Sequence, residues 1–108
     1  MDEATYERLA GDALSVVLDL FDDIDPDDAE VESSGDVIRI DLARGPRVVL
    51  NTQRPARQLW LAGGKHAWHF SYDPRAEAWL DDKGRGELMA VLRELVRELG
   101  ALDLPAPQ

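Results

Sequence analysis

The chain has 108 residues, no cysteine, and a formal net charge of −10 from 22 Asp/Glu against 12 Lys/Arg. That length suits one domain with its own core, spanning 1–108, and the missing thiols exclude thiolate nucleophiles, Cys-ligated zinc and Cys-held iron–sulfur clusters. Residues 1–36 hold thirteen carboxylates and one arginine while the remainder carries about +2, so the basic footprint of a nucleic-acid binder is missing and the expected partners are cations or basic protein surfaces.

Residues 4–24 show helical spacing, with Tyr6, Leu9, Ala13, Val16, Val17, Leu20 and Ile24 on one side. Asp22 and Asp23 fall at the C-terminal end, where carboxylates oppose the helix dipole, and Pro26 is the expected stop. From residue 29 the period becomes two. Val31 lies between Glu30 and Glu32, and Ser34-Gly35-Asp36 reads as a hairpin turn. Ile38, Ile40 and Leu42 then share a face against Val37, Arg39 and Asp41. After a turn at Arg44-Gly45-Pro46, Val48 and Leu50 alternate with Val49 and Asn51. Pro55 breaks the chain. Leu59 and Leu61 then face one way, with Gln58 and Trp60 opposite. Gly63-Gly64 turns again into an aromatic run, Trp68, Phe70 and Tyr72, and a short strand follows around Trp79. Residues 86–99 return to helical spacing through Leu88, Leu92, Leu95, Val96 and Leu99, with Gly100 as the expected stop.

This order of helix, about six short strands and helix predicts an α+β fold. Short connections favour antiparallel pairing. Two apolar helix stripes packed on one face of one sheet give a two-layer sandwich, leaving the other face to solvent. No apolar run is long enough to span a bilayer, and MDEATYERLA lacks the basic start and apolar core of a secretory leader. The expectation is a cytoplasmic bacterial protein with no membrane or nucleic-acid partner.

The acidic stretch DLFDDIDPDDAEVE, residues 19–32, is the most unusual feature. Asp23, Asp25 and Asp27 have the opening spacing of an EF-hand loop, but Asp28 replaces its glycine and Ser34 its terminal glutamate, so that reading fails. A looser site of oxygen ligands remains, suited to hard ions and Fe(II) without much selectivity; the ordinary alternative is a solvated charged face. Trp60 is the sharpest single residue. Alternation puts it on the outer sheet face with Asn51, Gln58 and His69, where a large indole among polar neighbours fits a partner contact better than mere cross-strand packing. Trp68, Phe70, Tyr72 and Trp79 read as packing residues and His66 as a loop residue. No phosphate loop, dinucleotide fingerprint, HExxH or catalytic Ser/His/Asp spacing occurs.

The stretch LNTQRPARQLWLAGG, residues 50–64, resembles the signature of frataxins, Asn-x-Gln-x-Pro followed by Gln-(Ile/Val/Leu)-Trp-Leu. The likeness continues through His69-Phe70, Trp79 and the Asp81–Gly84 stretch, covers nearly the whole chain, and suits the bacterial branch by length. It implies an α–β sandwich that binds Fe2+ and Fe3+ weakly on an acidic ridge and holds no cluster itself. It also implies docking on the cysteine desulfurase and scaffold protein that build iron–sulfur clusters. The ridge set would be Glu3, Glu7, Asp19, Asp22, Asp23, Asp25, Asp27, Asp28, Glu30 and Glu32. The matching Asn51, Gln53, Gln58 and Trp60, with His69, would meet the scaffold. Bacterial relatives often carry a histidine in the first helical turns; here Tyr6-Glu7-Arg8 supplies a carboxylate. The expected state is a monomer, with iron-induced oligomers as the alternative. The other functional readings are a ferroxidase that stores iron and an acidic adaptor that needs none. Neither a Glu-x-x-His motif nor an inward Glu pair supports a di-iron enzyme, so the chain is expected not to be an enzyme.

Overall fold

The computed structural model describes residues 1–107. The chain runs α1 (Glu3–Leu20), β1 (Ala29–Ser34), β2 (Val37–Leu42), β3 (Arg47–Gln53), β4 (Gln58–Gly63), β5 (His66–Asp73), β6 (Ala78–Asp81) and α2 (Leu88–Gly100). All neighbouring strands pair antiparallel in the order β1-β2-β3-β4-β5-β6. The expected helix–sheet sandwich is therefore the observed one.

Helix α1 starts at Asp2, whose side chain accepts a 2.7 Å hydrogen bond from the Thr5 N–H. Its buried stripe is Tyr6, Ala10, Ala13, Val17 and Leu20. It ends at Leu20, four residues before the expected limit. Two tighter bonds close it, Phe21 N–H to Leu18 O at 3.1 Å and Asp22 N–H to Asp19 O at 3.2 Å. Two causes act together. The last turn carries no base, and Asp19, Asp22 and Asp23 crowd the negative pole. Phe21 also turns into the core, where it is buried.

Helix α2 begins at Glu87, whose carboxylate accepts from Met89 N at 2.8 Å and Ala90 N at 3.3 Å. It stops at Ala101, in the left-handed region at φ 52°, not at Gly100. Gly100 is instead a point of close approach: a β-carbon there would lie 3.0 Å from the Leu42 side chain. Gly45, in the β2–β3 turn, has the same role, since a β-carbon would collide with the Leu99 carbonyl. These contacts bring the β2–β3 turn against the end of α2.

Alternation sorts the sheet faces. Ile38, Ile40, Val48, Leu50, Leu59, Leu61 and Phe70 are at most 1 % exposed and meet Leu88, Leu92, Leu95 and Val96 of α2. Each such burial contributes about 1.5–3 kcal/mol relative to an exposed side chain. The tail after α2 also packs inward. Leu102 and Leu104 are buried, and Arg93 Nε donates to Leu104 O at 3.3 Å. Pro107 lines the groove between the helices beside Leu9, Val16 and Met89. Among the described residues, no helix is long and apolar enough to cross a membrane.

Candidate functional site

The register builds the outer face. Asn51 lies opposite Trp60, and Trp60 opposite His69, while Gln53, Gln58 and Ser71 form the adjacent row. All five residues expected on this face are there. The Trp60 and His69 rings stack with centroids 4.3 Å apart and planes 15° apart. Their stacking covers one side of the indole, so both packing and display are present; Trp60 stays half-exposed and His69 exposed. The indole Nε1–H donates to Gln58 Oε1 at 2.8 Å. The Gln58 amide donates in turn to Asp82 Oδ2 and, at 3.2 Å, to Ser71 Oγ. Ser71 Oγ–H completes the set by donating to Asp82 Oδ1 at 2.8 Å.

Helix α1 holds the β3–β4 turn, which closes the sheet next to the Gln53–Gln58–Ser71 row. The buried Tyr6 hydroxyl donates to Gln58 O at 2.7 Å and accepts from Gln53 N–H at 3.2 Å. Burial pushes its phenol up from the ordinary value. The Arg57 guanidinium lies 5.8 Å from the Tyr6 ring centroid. Arg54 ties the same turn to Glu7 of α1 and, at 3.1 Å, to Asp36 in the β1–β2 turn.

At the other edge of the sheet, Asp81 is the one charged residue buried among the described residues, at 6 % exposure. Its Oδ2 accepts from Arg85 Nε at 2.9 Å and from the Lys83 and Arg85 backbone N–H groups, both at 3.1 Å. The Arg85 side chain holds this carboxyl below the usual carboxylate range, against the effect of burial. Arg85 also donates to Ala67 O at 2.9 Å and stands over the Trp68 ring. The Asp81–Gly86 turn is thus pinned to β5.

The acidic residues form a second surface with no comparable order. Asp19, Asp22 and Asp23 stand at the exit of α1, Asp25, Asp27 and Asp28 in the following loop, and Glu30 and Glu32 on the outward side of β1; all are exposed. Asp25 Oδ1 accepts from Asp27 N–H at 2.9 Å, fixing the loop locally. Glu3 and Glu7 lie at the opposite end of α1. At about 1.5 Å per residue, Glu3 and Asp22 are roughly 28 Å apart, so the ten ridge residues cannot act as one site. Glu7 is taken by Arg54, and Glu32 lies 3.8 Å from Arg39; the other eight form no ion pair among the described residues. No three acidic or histidine side chains converge there into a ready-made coordination shell. A cleft of about 370 Å³ opens where Asp23, Asp25 and Asp28 meet Arg44 and Asp103. Oxygen donors of this kind suit hard cations and Fe(II) that keep part of their water shell.

Sequence reasoning missed Tyr6, Arg54, Ser71, Asp82 and the Asp81–Arg85 pair as organisers of the outer face. Only the last left a signal: Asp81 has the inward parity of Trp79, and an arginine follows four residues later. The others join positions 11 to 52 residues apart in sequence.

A model of the frataxin-like domain matches residues 1–101. The chain is 33 % identical over 98 residues to the iron–sulfur cluster assembly protein CyaY of Pseudomonas fluorescens (strain Pf0-1), covering 91 % of this chain and 88 % of that protein. It is 34 % identical over 107 residues to the protein of that name from Pseudomonas aeruginosa (strain PAO1), covering 99 % and 98 %. Among solved structures, a frataxin from Psychromonas ingrahamii superposes over 100 % of both chains with a TM-score of 0.88 at 18 % identity, a likeness of fold. A trimeric frataxin from the yeast Saccharomyces cerevisiae, crystallised as a ferrous complex, superposes with a TM-score of 0.74 at 25 % identity, over 87 % of each chain.

Proposed function

The chain belongs to the frataxin-like family, and on that premise we propose that it serves iron–sulfur cluster assembly as an iron-binding adaptor of the bacterial cytoplasm. It carries Fe2+ or Fe3+ as cargo on the acidic surface and docks, as a monomer, on the complex of cysteine desulfurase and scaffold protein. The observation that carries this reading is the contrast between its two surfaces. Among the described residues, eight of the ten ridge carboxylates, all but Glu7 and Glu32, form no ion pair, while the outer sheet face holds a half-exposed indole in a defined orientation. The first arrangement attracts hydrated cations and a basic protein patch over a distance. The second suits packing and hydrogen bonding at short range.

Asp19, Asp22, Asp23, Asp25, Asp27, Asp28, Glu30 and Glu32 would take the ions, with Glu3 and Glu7 as a weaker outlying pair. Glu7 must leave Arg54, and Glu32 must leave Arg39, before either can ligate. Exposed carboxylates without a fixed geometry bind several ions weakly, and Fe, Co, Mn and Ca compete for them. An oxidase reading is disfavoured because the buried carboxylate, Asp81, is already committed to Arg85. Anaerobic titration with Fe(II), followed by admission of oxygen, tests the proposal. Weaker binding in Asp22→Asn/Asp23→Asn, with oxidation no faster than in buffer, is the expected result. A single tight ion that survives both substitutions refutes the ridge; accelerated oxidation supports the ferroxidase.

A further inference from the structure

The string Trp60–Gln58–Asp82–Ser71 has a direction built into it. An indole N–H can only donate, and an ionised carboxylate can only accept. The Gln58 amide between them is therefore held one way round, its oxygen toward Trp60 Nε1 and its NH2 toward Asp82. Ser71 fits the same polarity: it accepts from Gln58 at 3.2 Å and donates to Asp82 at 2.8 Å. Without Asp82, the amide keeps only the Ser71 hydroxyl beside it, which can donate as well as accept; its orientation is no longer fixed from that side, and Trp60 has no assured partner.

Asp82 is itself held on both sides. Its backbone N–H donates to His69 O at 2.9 Å, which joins it to the residue that stacks on Trp60. The preceding residue, Asp81, is buried and locked to Arg85. The turn after β6 thus delivers a carboxylate across β5 to a side chain on β4.

We propose that Asp82 is a positioning residue for the Trp60 contact: through Gln58 it locks the indole flat on His69 before the partner arrives. Its effect on docking rests on the reading of the outer face given above, whereas the lock is a property of the free protein. A pre-ordered side chain loses less conformational freedom on binding, and freeing one such side chain lowers affinity by about two- to twelve-fold.

The experiment has two arms. In the first, the indole Nε1–H signal of Trp60 is assigned by its disappearance in Trp60→Phe, and its chemical shift and solvent exchange are measured in Asp82→Ala and Asp82→Asn. Asp82→Ala should shift the signal and speed exchange several-fold. Asp82→Asn should lie close to wild type, because its oxygen can accept from Gln58 while its amide donates to Ser71; this isosteric variant also controls for folding. An unchanged Trp60 signal in Asp82→Ala overturns the proposal. In the second arm, binding to the desulfurase–scaffold complex should weaken about two- to twelve-fold in Asp82→Ala and show no added loss in a Trp60→Ala background. A loss that persists without Trp60 makes Asp82 a direct contact and overturns positioning. If Trp60→Ala itself binds like wild type, the partner reading of this face fails, while the first arm still decides the lock.

Discussion

Tyr6→Phe tests how far the outer sheet face depends on helix α1. The substitution keeps the ring, its edge contact with Trp79 at 6.1 Å and its place in the core, and removes one oxygen. That oxygen serves two backbone groups, accepting from Gln53 N–H at 3.2 Å and donating to Gln58 C=O at 2.7 Å. A buried polar group left without a partner costs about 1–3 kcal/mol. Gln53 and Gln58 are half-buried, so water can reach them in part and the lower end applies to each. The expected loss is roughly 2 kcal/mol. For a domain of this size that lowers the melting temperature by about 8–16 °C. Urea unfolding should show the loss as a lower midpoint with an unchanged slope, and the Gln53 amide should exchange faster. The pH dependence carries a second signature. Burial raises the Tyr6 phenol, so the folded state retains a proton that the unfolded chain gives up near pH 10. Stability from this group is complete below that pH and falls above it; the gap between wild type and Tyr6→Phe should therefore narrow under alkaline conditions. A stability change under about 0.5 kcal/mol with an equally protected Gln53 amide would refute the anchoring role.

Asp81→Asn should cost about 2 kcal/mol by weakening charge-assisted bonds to Arg85. Because Arg85 depresses the Asp81 carboxyl, that contribution is present above the unfolded value near 3.9 and lost as pH falls below it; acid unfolding of the variant should be shallower than that of wild type, and parallel curves would count against the assignment. Raising salt from very low to physiological strength should raise the melting temperature, since a Debye length of ~8 Å damps repulsion between ridge neighbours; a flat response would show that the carboxylates are not strained together. Trp60→Ala should weaken docking by about 2 kcal/mol or more, with little dependence on salt and no effect on iron binding. Asp22→Lys/Asp23→Lys should impair iron binding and a salt-sensitive docking step together, as read by calorimetry at two ionic strengths.

Periodicity alone determined most of the architecture. A repeat of three and four, then of two, then of three and four again is set by local backbone geometry, so helix, strands and helix were legible with their inward faces. The sidedness of Trp60, Asn51, Gln53, Gln58 and His69 followed for the same reason, as did the exposure of the acidic run. The helix limits were less legible. Whether α1 continues past Leu20 depends on Phe21 finding a place in the core, and Gly100 serves an approach to Leu42 that its neighbours in sequence do not reveal. Tertiary structure alone decided how the candidate site residues are held. Tyr6 reaches Gln58 across 52 positions and Asp82 reaches it across 24. It also divided the ridge, separating Glu3 and Glu7 from the aspartates by the length of a helix and giving Glu7 to Arg54. Side-chain hydrogen bonds and ion pairs act over about 3 Å, and which distant residues come within that range is settled only when the sheet register and the packing of the helices on it are both in place.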